Sequence, residues 1–235
     1  MSDTSALTVE RSDAVMILHL DDGKANALSF EMLDRMMAAL DEAERDDDIR
    51  AVVVNGRPGK FSGGFDLGVM MSSDFSEIVK LVARGGELVH RLYGISVPVV
   101  AACTGHALAA GALILLGCDV RVGADIDAKI GLPEVAIKMV LPDWAFTIAE
   151  ARLSKRHMQR AVVNARITGP ADAVDIGYLD EVVPLDQVLD RAVAIATELA
   201  ATLDPSAYER TVHNFRGDTL DTMANQVAAD RVAAT

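Results

Sequence analysis

Positive charge is scarce in this chain. Lys and Arg number 22 against 35 Asp and Glu, a formal net charge of −13. That balance argues against a nucleic-acid partner, which needs a basic face. Any phosphate-bearing ligand must then be met by a local cluster of cations or by backbone N–H groups. Cysteine is equally sparse. Cys103 and Cys118 lie in or beside apolar runs and read as buried free thiols. No HExxH or CxxC spacing, P-loop or internal repeat occurs, so no metal site is expected. No apolar run reaches the roughly 18 residues of a membrane span. The opening MSDTSALTVERSDAV has no basic start followed by an apolar core, so no secretory signal is read and a cytoplasmic protein is expected.

Apolar residues are plentiful, at 51% of 235, enough for one well-filled domain with a helical appendage. Residues 6–20 read as a hairpin, and Ser29 as the N-cap of a helix carrying Met32, Leu33, Met36 and Leu40 at helical spacing. Residues 51–55 and 97–102 are continuous apolar runs, the pattern of strands covered on both faces. Residues 74–93, 143–153, 155–164 and 186–203 read as helices, with Leu179 to Val183 as a late strand. Strands separated by helices predict an α/β fold with crossover connections.

The small-residue stretch Thr104 to Gly111 reads as a turn feeding an apolar helix, and two small-residue turns stand out, Ser62-Gly63-Gly64-Phe65 and, at the end of that stretch, Ala109-Ala110-Gly111. Each is read as following a buried strand and opening a helix, so each leaves backbone N–H groups free. Together they can aim two donors at one oxygen. Gly-rich turns are, however, mostly just turns. Past them, Gly131-Leu132-Pro133-Glu134 offers a carboxylate after a turn. On position alone it reads equally as a surface acid.

These segments resemble the crotonase (enoyl-CoA hydratase/isomerase) superfamily. Phe61-Ser62-Gly63-Gly64-Phe65-Asp66-Leu67 is similar to its F-S-A-G-A-D-L. Thr104 to Gly111, running on to Cys118-Asp119, is similar to N-G-x-A-x-G-G-G followed by A-C-D. Gly131 to Glu134 is similar to G-x-P-E. Ile167-Thr168-Gly169, Gly177 and Leu179 to Pro184 are similar to L-T-G…G-L-V-D-x-V-V-P. The resemblance runs from about residue 8 to 200. It implies a ββα spiral of stacked repeats over residues 1–185 and a helical region over 186–235 that builds trimers or hexamers. The implied ligand is an acyl-CoA thioester, with no further cofactor.

The resemblance also implies roles. Phe65 and Ala110 supply the oxyanion N–H groups. Lys24, Ala25, Ala27, Ser62, Gly63, Asp66, Leu67, Gly111 and Leu113 belong to the substrate region. Lys24 is either a phosphate contact or an exposed turn lysine, and Asp66 also reads as a helix cap. Departures from the pattern bear on the reaction. A hydratase of this family uses two glutamates, and the first falls here on Leu113. Glu134 remains alone, as in the mitochondrial type of Δ3,Δ2-enoyl-CoA isomerase, which this pattern resembles most. Asp143 is either a second acid or the N-cap of the helix before Trp144. An isomerase with Glu134 as sole base is therefore expected. A hydratase or another reaction of the family, including hydrolysis, using Asp143 is the first alternative, and a non-catalytic acyl-CoA binder the second. Ala109 and Ala110, where the family has glycines, are expected to keep a negative φ.

Overall fold

The computed structural model describes residues 6–72 and 74–233. The first five residues of the stretch read for a secretory signal, and the last two of the C-terminal region, lie outside them. The chain runs β1 (Leu7–Ser12), β2 (Val15–Leu20), β3 (Ala27–Leu28), α1 (Phe30–Arg45), β4 (Ala51–Asn55), β5 (Gly59–Ser62), β6 (Gly64–Phe65), α2 (Leu67–Met70) and α3 (Phe75–Gly94). It continues with β7 (Val99–Cys103), β8 (Gly105–Leu108), α4 (Ala110–Gly117), β9 (Val120–Ala124), β10 (Ile130–Gly131), α5 (Asp143–Arg152), α6 (Pro170–Ile176), β11 (Glu181–Val183), α7 (Val188–Thr202) and α8 (Pro205–Ala233).

The strands sort into a six-stranded sheet, β1-β2-β4-β7-β9-β11, and a three-stranded sheet, β10-β8-β5, with β3 paired to β6. Only β1 and β2 are antiparallel in the large sheet; its other pairings are parallel. Successive repeats place one strand in the large sheet, the next in a smaller one, and then a helix. The pairs β4/β5, β7/β8 and β9/β10 follow this rule, and the chain climbs as a ββα spiral.

The continuous apolar runs follow from this arrangement. Side chains alternate across a strand, and both faces of the large sheet are covered. Val52, Val54, Val99 and Ala101 enter the main core with α1, α3, α4 and α5. Val53, Val100 and Ala102 face the other way, against Val188, Ala192 and Ala196 of α7. Ser29 caps α1, accepting from Met32 N at 3.2 Å. No helix among the described residues is long and apolar enough to cross a membrane.

Three local expectations change. Gly105 to Leu108, read as part of a small-residue turn, is strand β8, because it pairs on both sides with β5 and β10. Of the helix read over 155–164, only Gln159–Val163 coils regularly, as a short π turn. Pro142, not Asp143, occupies the N-cap of α5, and Asp143 is its first helical residue. Proline suits a helix start, where its missing N–H costs nothing.

Helix α8 is tied down by a buried ionic cluster. Arg216 pairs with Asp119 just before β9, their side chains 11% and 12% exposed. Arg216 also donates to Tyr93 O at 2.8 Å and lies 4.6 Å over the Tyr93 ring. Tyr208 donates to Asp119 at 3.1 Å, and so does Val99 N at 2.7 Å. Removing one member leaves a buried charge unpaired, which costs about 3–5 kcal/mol. Arg216→Met is therefore expected to lower the melting temperature by about 6–12 °C for a loss near 3 kcal/mol in a domain of this size; calorimetry measures it.

Candidate active site

The site is assembled by strand register. Leu108 of β8 pairs with Gly131 of β10, and Ala109 N donates to Gly131 O at 3.0 Å. Ala110, the first residue of α4, and Glu134, in a 3₁₀ turn at Glu134–Ile137, thus leave the same sheet edge within three residues of a shared bond. On the other side, β6 lies against the start of α4. A Cβ built on Gly64 would sit 2.9 Å from Ala109 Cβ, 3.0 Å from Leu108 O and 3.4 Å from Ala110 N. Gly64 has φ +95°, so it meets both the steric and the conformational demand for glycine.

The two N–H groups expected at the oxygen belong to elements that lie side by side, β6 and the start of α4. Asp66 N is spent on Leu28 O at 3.2 Å. In a parallel ladder consecutive N–H groups point to opposite edges, so Phe65 N–H faces away from β3. Ala110 N–H is one of the unpaired donors of a helix start. Leu113 N, by contrast, is bonded to Ala109 O at 3.2 Å. Ala109 does not keep the expected negative φ. It takes φ +52°, ψ −128°, because the chain must turn sharply from β8 into α4 while holding the bond to Gly131. Such a conformation in a residue with a Cβ costs about 1–3 kcal/mol.

Glu134 is 8% exposed, and its Oε2 has no hydrogen-bond partner. Burial pushes its pKa up from 4.5 to about 7, only partly opposed by its own backbone N–H. Asp143 is exposed on α5. Its charge is felt by Asp230 of α8, whose pKa is raised first by burial and then by Asp143. Asp143 is not among the groups that shift Glu134.

A cleft of about 460 Å³ lies beside β6, lined by Lys24, Ala25, Ala27, Gly63, Phe65, Asp66 and Leu67 among others. Asp66 accepts from Gly68 N at 2.6 Å and so also caps α2. Ser62, Gly111 and Leu113 do not line this cleft. Ser62 is fully buried, donating to Asn26 O at 2.8 Å and accepting from Gly64 N at 3.2 Å. Gly111 lies so close to Ser62 that a Cβ would be 2.4 Å from its carbonyl oxygen. Leu113 packs in the core, 2% exposed.

Two supporting elements were missed from the sequence. Asn26 is fully buried with φ +52°. Its amide donates to Leu20 O, Lys60 O and Phe61 O, at 2.8, 3.1 and 3.1 Å. Asp22 accepts from the backbone N–H groups of Lys24, Asn26 and Ala27 at 2.7, 2.8 and 2.9 Å. Burial opposes its charge, but these donors win and hold its pKa below the usual value. An Asp and an Asn four residues apart after a strand were the available signal. The second element is Gly85 in α3. A Cβ there would meet the Phe65 ring at 2.3 and 2.4 Å. A glycine inside a helix costs about 1 kcal/mol relative to alanine, and here it makes the seat for that ring. Among the described residues no group of three or more His, Cys, Asp or Glu could hold a metal ion.

The ββα spiral with its helical C-terminal region defines the class of fold. The chain belongs to the enoyl-CoA hydratase/isomerase (crotonase) family, whose model matches residues 10–234. It is 34% identical over 218 residues to mouse mitochondrial enoyl-CoA delta isomerase 1, covering 92% of this chain and 75% of that protein. It is 29% identical over 226 residues to a probable enoyl-CoA hydratase of Bacillus subtilis, covering 90% and 84%. The structure of human mitochondrial Δ3-Δ2-enoyl-CoA isomerase matches with a TM-score of 0.91 at 30% identity, covering 98% of this chain and 90% of that one. The activity is thus of the enoyl-CoA isomerase/hydratase type.

Two substitutions test the geometry. Ala109→Gly relieves the strain but adds about 0.4–1 kcal/mol of unfolded-chain entropy. A net gain near 1 kcal/mol is expected, raising the melting temperature by about 2–4 °C. Gly85→Ala forces the Phe65 ring from its seat and moves the adjoining N–H. Because a lost donor of this kind costs on the order of 3 kcal/mol, kcat should fall about ten-fold or more, and Gly85→Ala/Phe65→Leu should recover part of it. Steady-state assays of both variants measure the recovery.

Proposed function

We propose that this protein moves the double bond of a 3-enoyl-CoA to give the trans-2-enoyl-CoA, with Glu134 as the single proton carrier. The observation that carries the reading is one buried carboxylate, Glu134, which desolvation raises toward neutrality, with Leu113 where a hydratase would place its other glutamate. Ionised Glu134 takes a proton from C2. The electron pair moves onto the thioester oxygen, whose negative charge Phe65 N–H and Ala110 N–H stabilise. The carbonyl then reforms, the pair shifts through C2=C3, and C4 receives the proton from Glu134. One group that is base and then acid works best with a pKa near the working pH.

Hydration needs a second group to position and split water. The exposure of Asp143, and its company with Asp230 rather than Glu134, count against it in that role. The cleft around Lys24, Ala25, Ala27, Gly63, Asp66 and Leu67 is read as the place of the CoA portion, with Lys24 its nearby cation. No further cofactor is required by this chemistry. Assembly as a trimer or a hexamer of two trimers is part of the same reading, supported by Phe215 and Val232 of α8, which are 84% and 74% exposed.

Glu134→Gln should abolish conversion of 3-enoyl-CoA while the fold persists; hydration of trans-2-enoyl-CoA at a comparable rate by the wild type would overturn the reading. Because the base must be ionised, kcat/KM should rise with pH through about 7 and then level. Stability should move the opposite way. A carboxyl whose folded pKa lies above its unfolded one is neutral in both states below 4.5, and its ionisation costs the folded state increasingly up to about 7. The penalty above that pH is about 3 kcal/mol. Glu134→Gln removes it, so this inactive variant should melt above wild type at pH 8, with the difference shrinking at pH 5. Thermal melts at the two pH values measure it.

A further inference from the structure

Three fully or nearly buried residues around the reaction centre carry polar atoms without a hydrogen-bond partner: Glu134 Oε2, Trp144 Nε1 and Tyr178 Oη. Trp144 is closed in by α3, where a Cβ on Gly86 would lie 2.9 Å from Nε1. Tyr178 differs. Its side chain is 0% exposed, yet it carries a hydroxyl into an apolar interior. Burying a hydroxyl unpaired costs about 1–3 kcal/mol, so a phenylalanine or leucine would fill this space more stably. In the G-L-V-D pattern that Gly177 to Asp180 resembles, the Tyr178 position is a leucine.

The backbone carries Tyr178 toward Glu134. Ile130 and Thr168 exchange two bonds, Ile130 N to Thr168 O at 2.9 Å and Thr168 N to Ile130 O at 3.0 Å. Glu134 follows four residues after Ile130. Helix α6 starts two residues after Thr168 and ends at Gly177, whose φ of +101° turns the chain. Tyr178 N is then fastened to Ala173 O at 2.9 Å. The two segments are stitched together at this bridge, four residues before Glu134 and one short helix before Tyr178. Glu134 is close enough for its charge to reach the phenol and add to the effect of burial in raising its pKa. Two orphaned polar atoms in one interior, near each other but not in contact, are the usual situation of groups joined by one water.

We propose that Tyr178 is the positioning residue for Glu134: its phenol O–H donates, across one bridging water, to Glu134 Oε2, holding the carboxylate's orientation and easing its ionisation. The inference rests on the isomerase reading. It supplies what a lone glutamate lacks, since Leu113 offers no polar partner. A donor to the charged form lowers a carboxyl pKa, so Tyr178 opposes the burial that raises it. Other charged groups near this pair are directed elsewhere. Lys138, at the end of Glu134's own turn, and Asp143 of α5 are exposed. Asp180 is held by Arg121 at 2.7 and 2.8 Å, and Arg152 donates to Cys118 O and Asp119 O at 2.8 and 3.2 Å.

The test compares wild type with Tyr178→Phe in two measurements on the full chain: the pH profile of kcat/KM with 3-enoyl-CoA, and an infrared titration of the carboxyl without substrate, with Glu134→Gln identifying the band. Removing one hydrogen bond to a charged group should move both the rising limb and the titration up by about one pH unit. Tyr178→Leu should shift the titration equally, which keeps the test open if the phenylalanine variant folds poorly. An unmoved titration in either folded variant overturns the proposal, as does a rate loss equal at every pH. If wild type fails to convert 3-enoyl-CoA, the isomerase reading fails, while the substrate-free titration still decides what Tyr178 does to Glu134.

Discussion

The structure depends on one short parallel pairing. Where β8 meets β10, Leu108 faces Gly131 and Ala109 N binds Gly131 O at 3.0 Å. That register decides where α4 begins and where the chain departs toward Glu134. A slip of one residue would turn every following side chain to the opposite face. It would also take Ala110 N–H away from the Phe65 side of the cleft. The positive φ of Ala109 is the local cost of holding the register, and the close approach at Gly64 is what lets β6 come in from the other side.

Around this pairing the molecule trades stability for chemistry. Glu134 is buried without a cation, so its charged form is disfavoured by desolvation alone. Elsewhere the chain handles buried charge differently. Asp119, Arg216 and Tyr208 form one cluster, and Arg121 and Asp180 another, each with partners at hydrogen-bond distance. The contrast is physical. An opposite charge favours the charged form of a buried group, whereas burial alone disfavours it. Burial, rather than a charged partner, therefore sets the protonation of Glu134.

Much of the layered architecture was legible in the residues. Continuous runs such as Ala51 to Asn55 belong to strands covered on both faces, and the structure splits them residue by residue between two apolar layers. Ser29 and Asp66 cap helices as their types suggest. The short strands were harder. Gly105 to Leu108 looked like a turn because small residues carry no β-branched signal, and they form a strand because two neighbours pair with them. Asp143 moved by one position because Pro142 takes the cap. Ser62 stands out by its place in a motif, and only the structure shows its hydroxyl engaged with Asn26 and Gly64.

By itself the sequence determined the local elements, the family and the absence of a carboxylate at position 113, since propensity, caps and motif spacing are properties of neighbouring residues. Tertiary structure alone decided that Glu134 is desolvated, that β6 lies against the start of α4, and that the charge of Glu134 reaches Tyr178. The reason is that burial, register and electrostatic reach depend on segments distant in the chain. Glu134 lies 69 residues from Phe65 and 44 from Tyr178, and no local pattern encodes what such residues exclude water from, or what they leave unpaired.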